Sequence, residues 1–252
     1  MSEHIYELPL NERLRTFMRV EFLYKRLKYT LENDDTWAIR SSVNTLLEIY
    51  SILSRTDVRR EVIFDLDRYI YQMTKYQGSS LVNEERAEEI NSKLESLKND
   101  VDQVGTGYLS QIRDIEFVGS LLHRHTLPGG RAEFDMPKYK FWLDSGLTRT
   151  RRDLREWVGV IQPVCDSIDQ ILWLLRESSE AIVTVAINGL YNHQIERNSQ
   201  ISMVRIFLSK NNVFPEISGS KHLISIRFLN WAKTEEKTTQ ENKNIRFKIS
   251  LC

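Results

Sequence analysis

The stretch Ile171-Leu172-Trp173-Leu174-Leu175-Arg176-Glu177-Ser178-Ser179-Glu180-Ala181-Ile182-Val183-Thr184-Val185-Ala186-Ile187 changes its apolar period from about 3.6 to about 2 partway along. Upstream of the change, Leu154, Trp157, Val158, Ile161, Cys165, Ile168, Ile171, Leu172 and Leu175 cover a broad arc, which predicts a long helix over 148–177 at the centre of a helical part. Pro163 is expected to kink or divide it. Downstream, 181–187 is β-rich, and 202–208, 223–229 and 245–251 alternate, so the chain is expected to end as a sheet. Ile245, Phe247, Ile249 and Leu251 share one face of the last strand and Arg246, Lys248 and Ser250 the other; in the strand before it Ile224, Ile226 and Phe228 face inward and Arg227 outward. One face of such a sheet is core, and the other can collect cations. Residues 233–243 read as a mobile hairpin loop between these two strands.

Towards the N-terminus the 3.6 period dominates. Phe17, Val20, Tyr24, Leu27 and Leu31 predict a helix over 11–31, with Arg15, Arg19 and Arg26 on its opposite face, as a solvated surface or as a contact. A second helix starts near Asp35, a good cap, and a third follows Thr56-Asp57. After a loop at Gly78-Ser79-Ser80, Asn83 opens a fourth, whose seam of Ala87, Ile90, Leu94, Leu97, Val101 and Val104 suits a bundle interior or a dimer contact equally. A fifth is expected over 108–122, before the turn Pro128-Gly129-Gly130; the aromatic, Pro-interrupted 132–143 suits edge strands or a hairpin. The sequence thus predicts an α+β fold. A helical domain over 1–125, joined by the long helix 148–177, accompanies an antiparallel β-strand domain built from 126–147 and 178–252.

With 35 basic and 35 acidic side chains in 252 residues, the chain lacks the bulk charge that grips nucleic acid. No run approaches the roughly 18 uncharged apolar residues of a membrane span, and Glu3, His4, Glu7 and Pro9 stand where a signal peptide needs an apolar core. Two cysteines, Cys165 and Cys252, make no disulfide framework, which suits a reducing cytoplasm. His123 and His125 have no Cys or carboxylate at ligand spacing, Pro128-Gly129-Gly130 lacks the Lys-Ser/Thr of a phosphate loop, and Cys165 in a helical pattern reads as a small hydrophobe. No catalytic group, metal or cofactor is therefore expected. Arg149, Arg151, Arg152 and Arg155, partly neutralised by Asp153 and Glu156, form either an anion contact or a solvated helix end. Local cations without a reactive partner suit acidic peptides or phosphates.

Particular residues go further. The segment from Glu7 to Leu23, Glu-Leu-Pro-Leu-Asn-Glu-Arg-Leu-Arg-Thr-Phe-Met-Arg-Val-Glu-Phe-Leu, resembles the opening of the ZapD family of Z-ring-associated cell division proteins. In the same order follow Val58-Arg59-Arg60-Glu61 with Leu66-Asp67-Arg68, Leu127-Pro128-Gly129-Gly130 with Phe134-Asp135-Met136-Pro137 and Trp142-Leu143, then Asn188-Gly189-Leu190-Tyr191, Pro215-Glu216-Ile217-Ser218-Gly219 and Ile226-Arg227-Phe228. This resemblance implies a non-catalytic homodimer in contact through its helical parts. It also implies a cytoplasmic protein at midcell that binds the C-terminal tail of FtsZ and bundles FtsZ filaments, with neither nucleic acid nor membrane insertion involved. Another acidic-peptide adaptor, or an unrecognised enzyme, is the alternative. By resemblance the tail-binding or bundling cations are Arg15, Arg19, Arg55, Arg59, Arg113, Lys140, Lys221, Arg227 and Arg246, some of which could instead hold the dimer or bridge domains. Lys140 stands where the family pattern allows His, and Leu223 where a basic residue is expected.

Overall fold

The computed structural model describes residues 3–76, 84–129, 132–196, 199, 201–209, 213–220, 222–231 and 233–252. Within them lie eight helices and eight strands, an α+β fold. Its contacts divide the chain into a strand unit, 1–18 with 173–252, and a helical unit, 19–172.

Helix starts follow the capping residues. Asn11 Oδ1 accepts the Leu14 amide at 2.8 Å ahead of α1 (Glu12–Glu32). Asp35 accepts from the Trp37 and Ala38 amides at 2.8 and 2.9 Å to begin α2 (Thr36–Leu53), and Asp57 from the Arg60 amide at 3.1 Å to begin α3 (Val58–Tyr76). Helix α4 (Glu84–Val104) packs on α3 and buries Leu94 and Val101 completely. Asn83 and the expected loop Gly78-Ser79-Ser80 lie outside the described residues.

The single helix expected over 108–122 is two, α5 (Tyr108–Arg113) and α6 (Glu116–Arg124). Ile115 between them is extended, at φ −68° and ψ 106°. The turn is tight: a Cβ on Gly119 would stand 2.8 Å from the Arg113 carbonyl oxygen. The segment 132–143, expected as edge strands or a hairpin, is instead a turn followed by α7 (Pro137–Asp144). Pro137 takes the first helical position, where its missing N–H removes no bond. Tyr139, Trp142 and Leu143 are buried at helical spacing while Phe134 and Phe141 are exposed, a one-sidedness that β propensity conceals.

Helix α8 (Leu147–Glu177) runs on past Pro163 undivided. Trp142 and Trp157 stack at 5.5 Å, Phe117 lies 5.5 Å from Trp142, and Trp142 Nε1 donates to Asp153 at 2.9 Å, which joins α6, α7 and α8. By length and composition α8 could cross a membrane, yet 61% of its most apolar window is buried in the fold. Its carboxylates are bonded there: Tyr24 Oη donates to Asp166 and Lys28 Nζ to Asp169, each at 2.8 Å. Burial pushes the Asp169 carboxyl above the usual range, against the pull of Lys28. Burial also pushes the enclosed Cys165 thiol well up. Cys165 is therefore expected to stay silent to a thiol reagent until denaturant is added; native labelling at the unfolded rate would refute its enclosure.

The strand unit holds two antiparallel sheets. One has the order β1 (Glu3–Pro9), β4 (Met203–Ser209), β8 (Ile245–Leu251), β2 (Ile182–Ala186); the other has β3 (Leu190–Gln194), β6 (Leu223–Asn230), β5 (Val213–Gly219), with β7 (Thr239–Gln240) also on β6. The last two long strands do not pair with each other as expected: β6 turns back onto β7, and β8 belongs to the other sheet. Their apolar faces meet: Phe228 of β6 packs 4.9 Å from Phe247 of β8, and Tyr191 of β3 meets that ring edge-on at 5.3 Å. Stacking lets each sheet bury its apolar face against the other. The chain passes from β2 to β3 through Asn188 (φ 49°) and Gly189 (φ 71°), the paired positive angles of a tight hairpin turn. A Cβ on Gly189 would also stand 2.1 Å from the Glu241 carbonyl oxygen.

Strand β1, where no strand is expected from sequence, pairs with β4 from Glu3↔Ser209 to Pro9↔Met203. Glu7 is its anchor. Arg176 Nε and Nη2 donate to the two Glu7 oxygens at 2.9 Å each, and Arg205 Nε donates to Oε1 at 3.0 Å.

Candidate functional site

In the helical unit, the turn between α2 and α3 and the helix α5 form a cleft of about 420 Å³ that brings Arg55, Arg59 and Arg113 together with Tyr50 and Tyr108. The fold uses these arginines differently. Arg59 has a side chain only 14% exposed; its Nε donates to the Val101 carbonyl at 3.0 Å and its Nη2 to Asp102 Oδ1 at 3.1 Å, satisfying the C-terminal end of α4. Arg55 projects from the turn with no side-chain bond among the described residues. Arg113 ends α5, where a cation suits the helix dipole, and its 3.2 Å pair with Asp114 is too exposed to hold it firmly. Burial pushes the Tyr108 hydroxyl well above its usual range, so that wall stays neutral. Two exposed cations beside tyrosines can bind a carboxylate and an apolar or aromatic side chain together.

The other resemblance-derived cations are dispersed. On α1, Arg19 is exposed and unpaired among the described residues, while Arg15 meets Glu12 at 3.3 Å. Arg26, on the same expected face, is drawn to α2 by Thr45 at 2.8 Å and Glu48 at 2.5 Å. Lys140 on α7 bonds Asp144 at 2.9 Å and approaches Glu133 at 3.5 Å; the Asp144 bond raises its pKa. Lys221 lies outside the described residues.

Arg227 and Arg246 do not share a cationic face. Arg227 lies outward on β6 and pairs with its neighbour Glu216 on β5, whereas Arg246 lies outward on β8, opposite Val185 of β2. The stacking of the two sheets turns these outer faces away from each other. Arg246 is exposed and has no ion pair among the described residues.

A second cleft, of about 830 Å³, is lined by Arg149, Arg152 and Arg155 near the start of α8. Arg152 is held by Asp153 at 3.0 Å, and the neighbouring Arg151 turns away to donate to the Asn33 carbonyl at 2.6 Å. Charge clustering in the sequence marks this patch, but helix phase decides which arginines reach it.

These cations sit on a chain that a family model described as ZapD, cell division protein, matches over residues 18–227. The chain belongs to the ZapD family. It is 30% identical over 252 residues to the cell division protein ZapD of Methylococcus capsulatus, covering 100% of this chain and 98% of that one. The ZapD of Bordetella petrii is 32% identical over 250 residues, with 98% of each chain covered, and that of Nitrosomonas europaea 27% over 248 residues, with 98% of this chain and 94% of the relative covered. The family places this protein in cell division. Its matched span includes Arg19, Arg55, Arg59, Arg113, Lys140, Lys221 and Arg227, and leaves Arg15 and Arg246 outside.

Proposed function

We propose that this protein binds the acidic C-terminal tail of FtsZ and, as a homodimer, crosslinks FtsZ filaments into bundles at midcell in the cytoplasm. The observation that carries this reading is that Arg19, Arg55 and Arg246 are exposed without ion partners among the described residues of a chain with no net charge. Exposed unpaired cations meet carboxylates at little desolvation cost. Filaments display many tails, so weak single contacts add through multivalency once a two-fold axis doubles the sites. Exposed aromatic pairs at heptad spacing, Phe22 with Tyr29 on α1 and Phe64 with Tyr71 on α3, offer apolar stripes for a second copy to cover.

The test is fluorescence anisotropy of a labelled peptide with the sequence of the cognate FtsZ tail, titrated with the full-length protein at low ionic strength. Saturable binding that weakens with added salt is expected. Arg19→Glu and Arg55→Glu should each weaken it by about tenfold, a typical loss when an exposed contact charge is reversed. A folded protein carrying both Arg19→Glu and Arg55→Glu that binds as well as wild type would sink the assignment of these cations; no binding by wild type would sink the tail reading.

A further inference from the structure

The sheet edges of the strand unit differ in how they are protected. Strand β1 carries Glu3, Glu7 and Pro9, β5 carries Pro215 and Glu216, and β3 carries Asn192, His193 and Gln194. Charges, prolines and polar side chains of this kind keep a further strand from adding. Strand β2 has neither charge nor proline, and Thr184 is its one polar side chain. Its Ile182, Val183 and Val185 are 60%, 53% and 43% exposed; just beyond, Ile187 is bridged to Leu190 at the start of β3, and among the described residues β8 is the only strand paired along Ile182–Ala186. An apolar edge left open in this way is a template for an incoming strand.

Neighbouring charge says what kind of strand. Lys248 and Arg246 lie on one face of β8, in register with Val183 and Val185 of β2. Lys248 Nζ already reaches over β4 to Glu3 of β1 at 3.0 Å, a carboxylate two strands away. Arg246 has no such partner among the described residues. On its other side the same reach passes over the short Val185 and ends above the place of a fifth strand, two spacings of about 4.8 Å from β8. We infer that β2 seats an extended acidic peptide as a fifth strand of this sheet, its backbone bonded along Ile182–Ala186 and a carboxylate meeting Arg246. The inference rests on the tail-binding reading, and its occupant is the FtsZ tail. Main-chain bonds supply affinity on a flat edge, while Arg246 and the exposed valines select an acidic and apolar sequence.

The experiment is the same anisotropy titration with full-length Val185→Glu and Arg246→Gln, and with tail peptides N-methylated at alternate amides. Val185→Glu sets a carboxylate beside Arg246 at an exposed position and should weaken binding by about tenfold or more, with unchanged melting. Arg246→Gln should weaken it by about threefold to tenfold and flatten its salt dependence. Since only every second amide of an added strand faces the edge, N-methylation in one register should abolish binding and in the other spare it. Unchanged affinity in both variants, or indifference to N-methylation, overturns strand addition while tail binding stands. Failure of the wild-type protein to bind the peptide overturns the tail reading and this inference together. Loss of self-association in Val185→Glu, read by sedimentation equilibrium, also overturns it, by showing that a second copy covers the edge.

Discussion

Replacing Glu7 with alanine is expected to cost about 3 kcal/mol of unfolding free energy, the low end for removing one partner from a buried ion pair, because this cluster is largely rather than fully enclosed. Glu7 and Arg176 are each 17% exposed at the side chain and Arg205 13%, and all three are joined at 2.9–3.0 Å. Without the carboxylate two guanidinium groups face each other in a poorly solvated place, where neither regains the hydration lost on folding. Glu7→Gln should cost less, because its one carbonyl oxygen still accepts a bond. The loss should persist at high salt, since enclosed pairs are weakly screened, whereas the exposed Lys248–Glu3 pair should fade. Denaturant unfolding of the three proteins at low and high salt decides it. A Glu7→Ala protein as stable as wild type would mean that solvent relaxes into the cluster.

Leu94→Ala is expected to cost about 2–5 kcal/mol, from lost transfer energy and the cavity left between α3 and α4. The α4 seam suits a bundle interior or a dimer contact from sequence alone; the structure buries Leu94 completely within one chain. The destabilisation should therefore be the same at low and high protein concentration. A stability loss that grows on dilution would place Leu94 at a seam between copies instead. Because Arg59 ties the start of α3 to the end of α4, some of the loss should appear as loosening of the cleft that holds Arg55 and Arg113.

The local patterns carry much of this fold. Asp35 and Asp57 mark helix starts because a carboxylate that satisfies free amides acts within three residues of itself. Alternation in β6 and β8 separates Phe228 and Phe247 from Arg227 and Arg246 because side-chain direction in a strand is a local property. Strand β1 is illegible for the converse reason. Its partner β4 is distant in sequence, and its Glu7, which reads as a polar lead-in, is neutralised only by arginines from α8 and β4. At α7 the aromatic content indicates β propensity, while the buried set Tyr139, Trp142 and Leu143 appears only once α6 and α8 are packed against it.

For the candidate site, residue identity singles out the cations but not their use. Arg55 and Arg59 are four residues apart, one in the turn before α3 and one in its first turn, yet one is exposed and the other caps α4, because α4 approaches only one of them. By itself the sequence determined the α+β class, most helix positions, the inward and outward faces of the late strands and, through its motifs, the family. The tertiary structure alone decided which sheet each strand joined, which arginines were consumed as internal bonds, and that Arg227 and Arg246 stand on separate faces. Each of these depends on pairing between distant segments, and a local pattern of side chains carries no information about the partner that will be opposite it.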